Sequence, residues 1–223
     1  MIKGILFDFD GTLANTIDLI VATFEHSCRE VLGVQPPRQQ IVDTIGLPLA
    51  DAFMVLTNAP AKLEELRAAY GKFNGEHHDA MIKPIPGVAE LLAKLKKRGF
   101  KIAVVTSKKP PMLQRGLDCL QLTSYIDATV TVLDTEFGKP HPAPVLLGCA
   151  RLGLPPQECI CVGDSPYDMQ SGNAAGTVTV AVGYTAFAIE KVVGEGSPDF
   201  VIDRPENLLD IIDKLNTGLE VDD

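Results

Sequence analysis

Residues 5–13 read ILFDFDGTL. The first half is a run of bulky apolar side chains, which reads as a buried strand. The second half places Asp8 and Asp10 two residues apart, directly before Gly11 and Thr12. Carboxylates at the end of a buried strand must be solvated, paired or put to use. In open α/β sheets, ligands gather beyond the carboxyl ends of the strands. The residues at the ends of the other strands therefore decide among the three.

Four more runs rich in Val, Ile and Thr occur along the chain: KIAVVTS at 101–107, ATVTVL at 128–133, CICVGD at 159–164 and TVTVAVG at 177–183. Amphipathic segments separate them. Val88, Leu91, Leu92 and Leu95 share one helical face, as do Leu113, Leu117 and Leu120. PAPVLLGCARLG at 142–153 is a helix opened by Pro and closed by Gly. This alternation predicts an α/β fold, a doubly wound, Rossmann-like parallel sheet with helices on both faces. Residues 15–82 break the pattern, because no convincing strand occurs there. Ile17, Ile20, Val21, Phe24, Cys28, Val31 and Leu32 keep helical spacing up to Gly33, and residues 38–56 and 61–81 read as further helices. The expected organisation is a catalytic core of residues 1–14 and 83–223 with an all-helical cap domain, 15–82, inserted after the first strand. The last residues, NTGLEVDD, are polar and are expected to fray.

The balance of 20 basic against 29 acidic residues gives a net charge of −9. That argues against a nucleic-acid partner, which wants a basic face, and it obliges an anionic substrate to find a local cationic site. No stretch approaches a membrane span, and the sequence opens into strand-like residues with no basic-then-apolar leader. Cys28, Cys119, Cys149, Cys159 and Cys161 are odd in number and scattered, so free, buried thiols of a cytoplasmic protein are expected rather than a disulfide framework. A monomer or weak homodimer is expected.

The residues just beyond the strands form a specific set. Asp8, Asp10, Gly11 and Thr12 come after the first; Thr106, Ser107 and Lys108 come after KIAVV; Asp164, Ser165 and Asp168 come after CICVG; Lys139 stands in GKPHP. Four carboxylates in one small site raise one another's pKa unless positive charge is present. Lys139 supplies one charge, and a hard divalent cation with oxygen ligands, Mg2+, supplies the rest. The set proposes metal-assisted phosphoryl transfer. Asp8 would be the covalent nucleophile and Asp10 the acid and base. Gly11 and Thr12 would offer backbone N–H groups to an anion, and Thr106, Ser107 and Lys139 would hold phosphate oxygens. Asp164 would complete the metal shell, and Asp168 would orient a metal-bound water or Lys139.

DFDGTL, VTS, GKP and GDSPYDM, in this order and spacing, resemble the four motifs of the haloacid dehalogenase-like hydrolase superfamily. The resemblance covers essentially the whole chain. It implies an aspartyl-phosphate on Asp8, acid–base work by Asp10, phosphate contacts from Thr106 and Lys139, and Mg2+ held by Asp164, Asp8 and the Asp10 carbonyl. The helical insert resembles the family's small cap. Expelling a halide needs no proton, so Asp10 points to phosphatase rather than dehalogenase chemistry.

The cap stretches NTIDLIVATFEHS, IGLPLADAF and YGKFNGEHHDAM, with SPDFVID, are similar to the family's pyrophosphatase branch. KPHPAPVLLGCARLGLPPQECICVGDSPYDMQSGNAAG is similar to phosphoglycolate phosphatases. Inorganic pyrophosphate is therefore the first expected substrate and phosphoglycolate the alternative. A sugar-phosphate mutase is disfavoured, because no basic residue comes after Gly46 in IGLPLADAF. A phosphate-binding domain without turnover is disfavoured by the complete set of motif residues. Asn74, His77 and His78 are the cap candidates for substrate contact, with Asn15 and Thr16 at the cap base; Asn15 can equally be an N-cap. Lys108 and Lys109 read as a solvated loop, His141 as structural, and Asp203, Asp222 and Asp223 as surface charge.

Overall fold

The computed structural model describes residues 1–184 and 186–218. Asp222, Asp223 and the rest of the last five residues lie outside the described residues. In chain order the elements are β1 (Gly4–Phe7), β2 (Ala14–Asn15), α1 (Ile17–Leu32), α2 (Arg38–Val42), α3 (Leu49–Thr57), α4 (Leu63–Met81), β3 (Lys83–Pro84), α5 (Val88–Lys97), β4 (Lys101–Val105) and α6 (Pro110–Cys119). They continue with β5 (Ala128–Val130), α7 (Ala143–Leu152), β6 (Cys159–Gly163), α8 (Pro166–Ala175), β7 (Val178–Val182), α9 (Ile189–Gly196), β8 (Phe200–Ile202) and α10 (Asn207–Thr217).

Six strands form a parallel sheet in the order β5-β4-β1-β6-β7-β8. The chain winds outward on one side of β1 and then on the other, so the topological switch falls beside β1. Alternation along the strands sorts the two faces. Ile5, Phe7, Ile102, Val104, Ile160 and Val162 pack with α5, α6 and α10, whereas Leu6, Ala103, Val105 and Cys161 pack with α7. All four residues of the predicted α5 face are buried, and α1 stops at Gly33, whose positive φ of 68° closes the helix.

Between β2 and β3 every regular element is a helix, and the helix expected over 38–56 is split in two by a turn at 43–48. The two-residue strands pair antiparallel, Ala14 with Pro84 and Asn15 with Lys83, and bring the two ends of the helical segment together. Phe24 joins its helices edge-on, 4.8 Å from the Phe53 ring centroid and 5.0 Å from that of Tyr70. A shared apolar cluster continues from α1–α4 into Met169, Ala181 and Val192 of the core. α4 runs unbroken through Gly71 and Gly75.

Two parts of the sheet depart from expectation. β8 extends it by one short parallel strand that the sequence pattern does not announce, and α9 and α10 flank that strand in the same alternation. β5 ends at Val130 although ATVTVL continues. There the Asp134 carboxylate accepts the Thr131 N–H at 2.7 Å and its hydroxyl at 2.6 Å, turning the chain, and also accepts from Arg151 of α7 at 2.6 Å. The Arg151 and Thr131 hydrogen bonds hold the Asp134 carboxyl down at about 2. Asp134→Ala is expected to cost about 1–2 kcal/mol in urea unfolding at pH 7. A depressed native pKa stabilises above the unfolded value, so the gap between variant and wild type should close as pH falls from 3.8 through about 2.

All five thiols are free; Cys119 is exposed and the other four are buried. Among the described residues no helix is long and apolar enough to cross a membrane.

Candidate active site

The register of the central strands decides what meets at their carboxyl ends. Phe7 lies level with Val104 of β4 and Val162 of β6, so Asp8, Thr106 and Asp164 emerge on one rim. Lys139 arrives from the loop before α7 and Asp168 from the first turn of α8. Carboxylate oxygens of Asp8, Asp164 and Asp168 lie within 4.8 Å of one another, all three buried.

Lys139 sits among them, 4% exposed. Its Nζ donates to Asp8 Oδ1 at 2.8 Å, Asp168 Oδ1 at 2.5 Å and the Val105 carbonyl at 3.1 Å. Those three bonds use every donor an ammonium has. Asp168 is held in turn by a capping box: Ser165 caps α8, and Asp168 Oδ2 accepts the Ser165 N–H at 3.1 Å and hydroxyl at 2.6 Å. With both oxygens engaged, Asp168 orients Lys139, one of the two roles its spacing offers.

Burial raises the Asp8 pKa to about 7; Asp168 and Asp10 push the same way, against Lys139. Burial alone would lower the Lys139 pKa, but the charges of Asp168 and Asp8 outweigh it and hold the ammonium above its ordinary range. The cluster thus sets three carboxylates against one ammonium. Excess negative charge on hard oxygen donors is what a divalent cation such as Mg2+ complements. Both Asp168 oxygens are engaged by Lys139 and Ser165, so Asp8 and Asp164 are the members of the cluster suited to hold the ion.

The turn after β1 corrects two expectations. The Gly11 N–H donates to the Ala14 carbonyl at 2.8 Å and the Thr12 N–H to that of Phe9 at 3.4 Å, so both are spent on closing the turn rather than facing an anion. Gly11 matters for a different reason. Its φ is +84°, and a Cβ there would lie 2.1 Å from Asp164 Oδ2. Only glycine lets that carboxylate approach. The buried Thr12 hydroxyl has no hydrogen-bond partner among the described residues.

Asp10 stands beside the cluster. Its Oδ1 accepts from Thr16 Oγ1 at 2.6 Å and Lys108 Nζ at 2.7 Å, and its Oδ2 accepts from Lys108 at 3.0 Å. Lys108 is not the solvated loop residue its sequence suggests; its side chain is 10% exposed and ion-paired to Asp10. Lys109 is exposed. Thr106 is buried, and its Oγ1 accepts the Lys108 N–H at 3.2 Å, leaving the hydroxyl proton to be donated. Ser107 is not free to contact phosphate, because its hydroxyl donates to the Gly46 carbonyl at 2.6 Å and so ties the helical segment to the core. Gly46 has a φ of +98°.

The cap candidates separate. Asn15 is exposed and pairs with Lys83, and the N-cap of α1 is Thr16. His77 Nδ1 lies 2.9 Å from the Phe73 carbonyl, and its ring stacks on Phe73 at 4.0 Å. His78 is fully buried with Nδ1 2.8 Å from Asp79, which Arg115 of α6 clamps at 2.8 and 3.0 Å. Its Nε2 has no hydrogen-bond partner among the described residues. Asn74 is buried one turn earlier. His78 therefore serves the joint between α4 and α6, whereas His77 packs on its own helix. His141 accepts the Ala143 N–H at 3.2 Å and faces Phe137, while Asp203 is exposed. A cleft of about 640 Å³ opens beside the cluster, lined by Leu47, Pro48, Phe137, Lys139 and His141 among others.

The profile of the haloacid dehalogenase-like hydrolases matches residues 5–182. A Clostridium perfringens protein provisionally named pyrophosphatase PpaX is 42% identical, over 97% of this chain and 100% of its own length. Pyrophosphatase PpaX of Bacillus mycoides is 37% identical, over 96% of this chain and 99% of its own. Among solved structures, one from Haemophilus somnus described as a predicted phosphoglycolate phosphatase superposes with a TM-score of 0.83. It is 26% identical and covers 95% of this chain and 98% of its own. With the profile spanning most of the chain and relatives matching nearly end to end, the chain belongs to the haloacid dehalogenase-like hydrolase family.

Proposed function

We propose that the chain is a Mg2+-dependent phosphohydrolase that works through a phosphorylated Asp8, with inorganic pyrophosphate as its substrate. The observation that carries this reading is the clamp on Asp8: one oxygen is fixed 2.8 Å from Lys139 inside a buried acidic cluster. A carboxylate so held has one oxygen directed and one left to attack. Attack on phosphorus breaks the bond to the leaving oxygen, which takes a proton from Asp10. Asp10 then removes a proton from the water that hydrolyses the phospho-aspartate, restoring both groups. The Thr106 hydroxyl, whose proton is left over by its contact with the Lys108 N–H, would donate to a non-transferring phosphate oxygen. Mg2+, held by Asp8 and Asp164, would neutralise charge on the transferring phosphoryl group.

Residues 15–82 act as a cap over a core of residues 1–14 and 83–223. The β2–β3 pair at its base and the Ser107–Gly46 hydrogen bond across the seam support this division. Thr16, at the start of the cap side, holds Asp10, so cap position and acid–base geometry are joined. Five free thiols fit a reducing cytoplasm. The names of the two PpaX relatives favour pyrophosphate. The Haemophilus somnus structure supports phosphoglycolate as a second reading.

The test is turnover by purified protein stripped with EDTA and then given Mg2+. Hydrolysis is expected only with the metal, with a higher kcat/KM for pyrophosphate than for phosphoglycolate. The reverse preference selects the second reading, and no turnover of either substrate rejects both.

A further inference from the structure

The reaction leaves one group of this rim without a task. Two ammonium groups are ion-paired to its carboxylates, Lys139 and Lys108. Lys139 spends all three donors on Asp8, Asp168 and Val105. Lys108 spends its contacts on one partner, reaching both Asp10 oxygens at 2.7 and 3.0 Å. Its Nζ lies 5.5 Å from the centroid of the Phe9 ring, which supports the cation from beneath. A third N–H remains.

We propose that Lys108 grips the departing half of the substrate, and so selects phosphate esters and anhydrides whose leaving group carries its own negative charge. The inference rests on the reading of Asp8 as nucleophile and Asp10 as proton donor. A group that protonates the leaving oxygen must lie within hydrogen-bond reach of it. Lys108 Nζ, one hydrogen bond from Asp10, therefore lies on the departing side of the phosphorus. Among the cap candidates nothing else supplies positive charge there. Residues 45–53, IGLPLADAF, hold no basic residue, and Nδ1 of both His77 and His78 lies against an acceptor of their own helix. In a chain of net charge −9, an anionic leaving group needs such a partner. Pyrophosphate and phosphoglycolate share this chemistry: a phosphate or a carboxylate departs with the leaving oxygen.

The experiment compares Lys108→Met, Lys108→Arg and wild type on pyrophosphate, phosphoglycolate and ethyl phosphate. Ethyl phosphate and phosphoglycolate both expel an alkoxide, but only the second leaving group is anionic. Loss of a charge-assisted contact should lower kcat/KM of Lys108→Met by roughly 10- to 100-fold more for the anionic substrates than for ethyl phosphate. Lys108→Arg should recover most of that difference. A selective loss confined to one anion supports the proposal and names the group that Lys108 meets. Equal losses on all three substrates overturn it and leave Lys108 as a positioning residue for Asp10. If Lys108→Met does not melt cooperatively, Lys108→Gln, which still donates to Asp10, carries the same comparison. Wild-type protein that hydrolyses none of the three overturns the underlying reading, and this proposal with it.

Discussion

Asp8→Asn is expected to lower kcat by at least about 10⁴-fold while leaving the fold intact. The amide fills the same volume, and its carbonyl oxygen can still accept from Lys139, which sits 2.8 Å from Asp8 Oδ1. What disappears is the oxygen proposed to attack phosphorus, and no neighbour is placed to substitute for it. Asp168 has both oxygens engaged, and Asp10 is held by Thr16 and Lys108. Burial already disfavours the charged form of Asp8, with a pKa of about 7, so removing the charge should not destabilise the metal-free protein. Its melting temperature should stay level or rise, whereas the stabilisation that wild type gains from Mg2+ should shrink. A variant that keeps substantial turnover would show that another group attacks phosphorus.

Lys139→Met should produce the largest loss of stability. Removing one member of a buried ion cluster leaves the others uncompensated, at about 3–5 kcal/mol. Here two buried carboxylates, Asp8 and Asp168, lose their shared ammonium, and Asp164 lies within 4.8 Å of both. The deficit should be greatest at neutral pH and shrink towards acid pH, because the orphaned carboxylates can then take up protons. Adding Asp168→Asn to Lys139→Met removes one unmatched charge, and should restore part of the stability without restoring turnover. Urea unfolding of the single and double variants at neutral and acid pH checks both statements. A single variant as stable as wild type would mean that the cluster is not electrostatically coupled as its geometry implies.

The parts of this site that are legible in the sequence are those whose chemistry is written locally. Asp8, Asp10, Asp164 and Asp168 each come after a strand whose apolar run is unmistakable, and SPYD spells a helix cap with its N3 carboxylate. Lys139 is legible through the GKP motif, while its neighbours come from tertiary structure. What escapes is decided between distant residues. Ser107 looks like a phosphate ligand until Gly46, 61 residues away, takes its hydroxyl. Lys108 looks solvated until it meets Asp10, 98 residues earlier. Gly11 and Thr12 do occupy the right turn, but their N–H groups are consumed by the turn itself. β8 escapes because it has three residues, one of them exposed, and too little apolar sequence to stand out.

The two-residue ladder between β2 and β3 has a consequence for how such a chain can change. Ala14 and Pro84 are cross-strand neighbours, so the polypeptide leaves the sheet layer and rejoins it at almost the same point. Closing a longer or shorter excursion between two fixed, adjacent ends alters the chain entropy only slowly with length. The stretch between them can therefore be lengthened, trimmed or replaced over evolutionary time without moving β1, and substrate range can drift while the phosphoryl-transfer apparatus stays where it is.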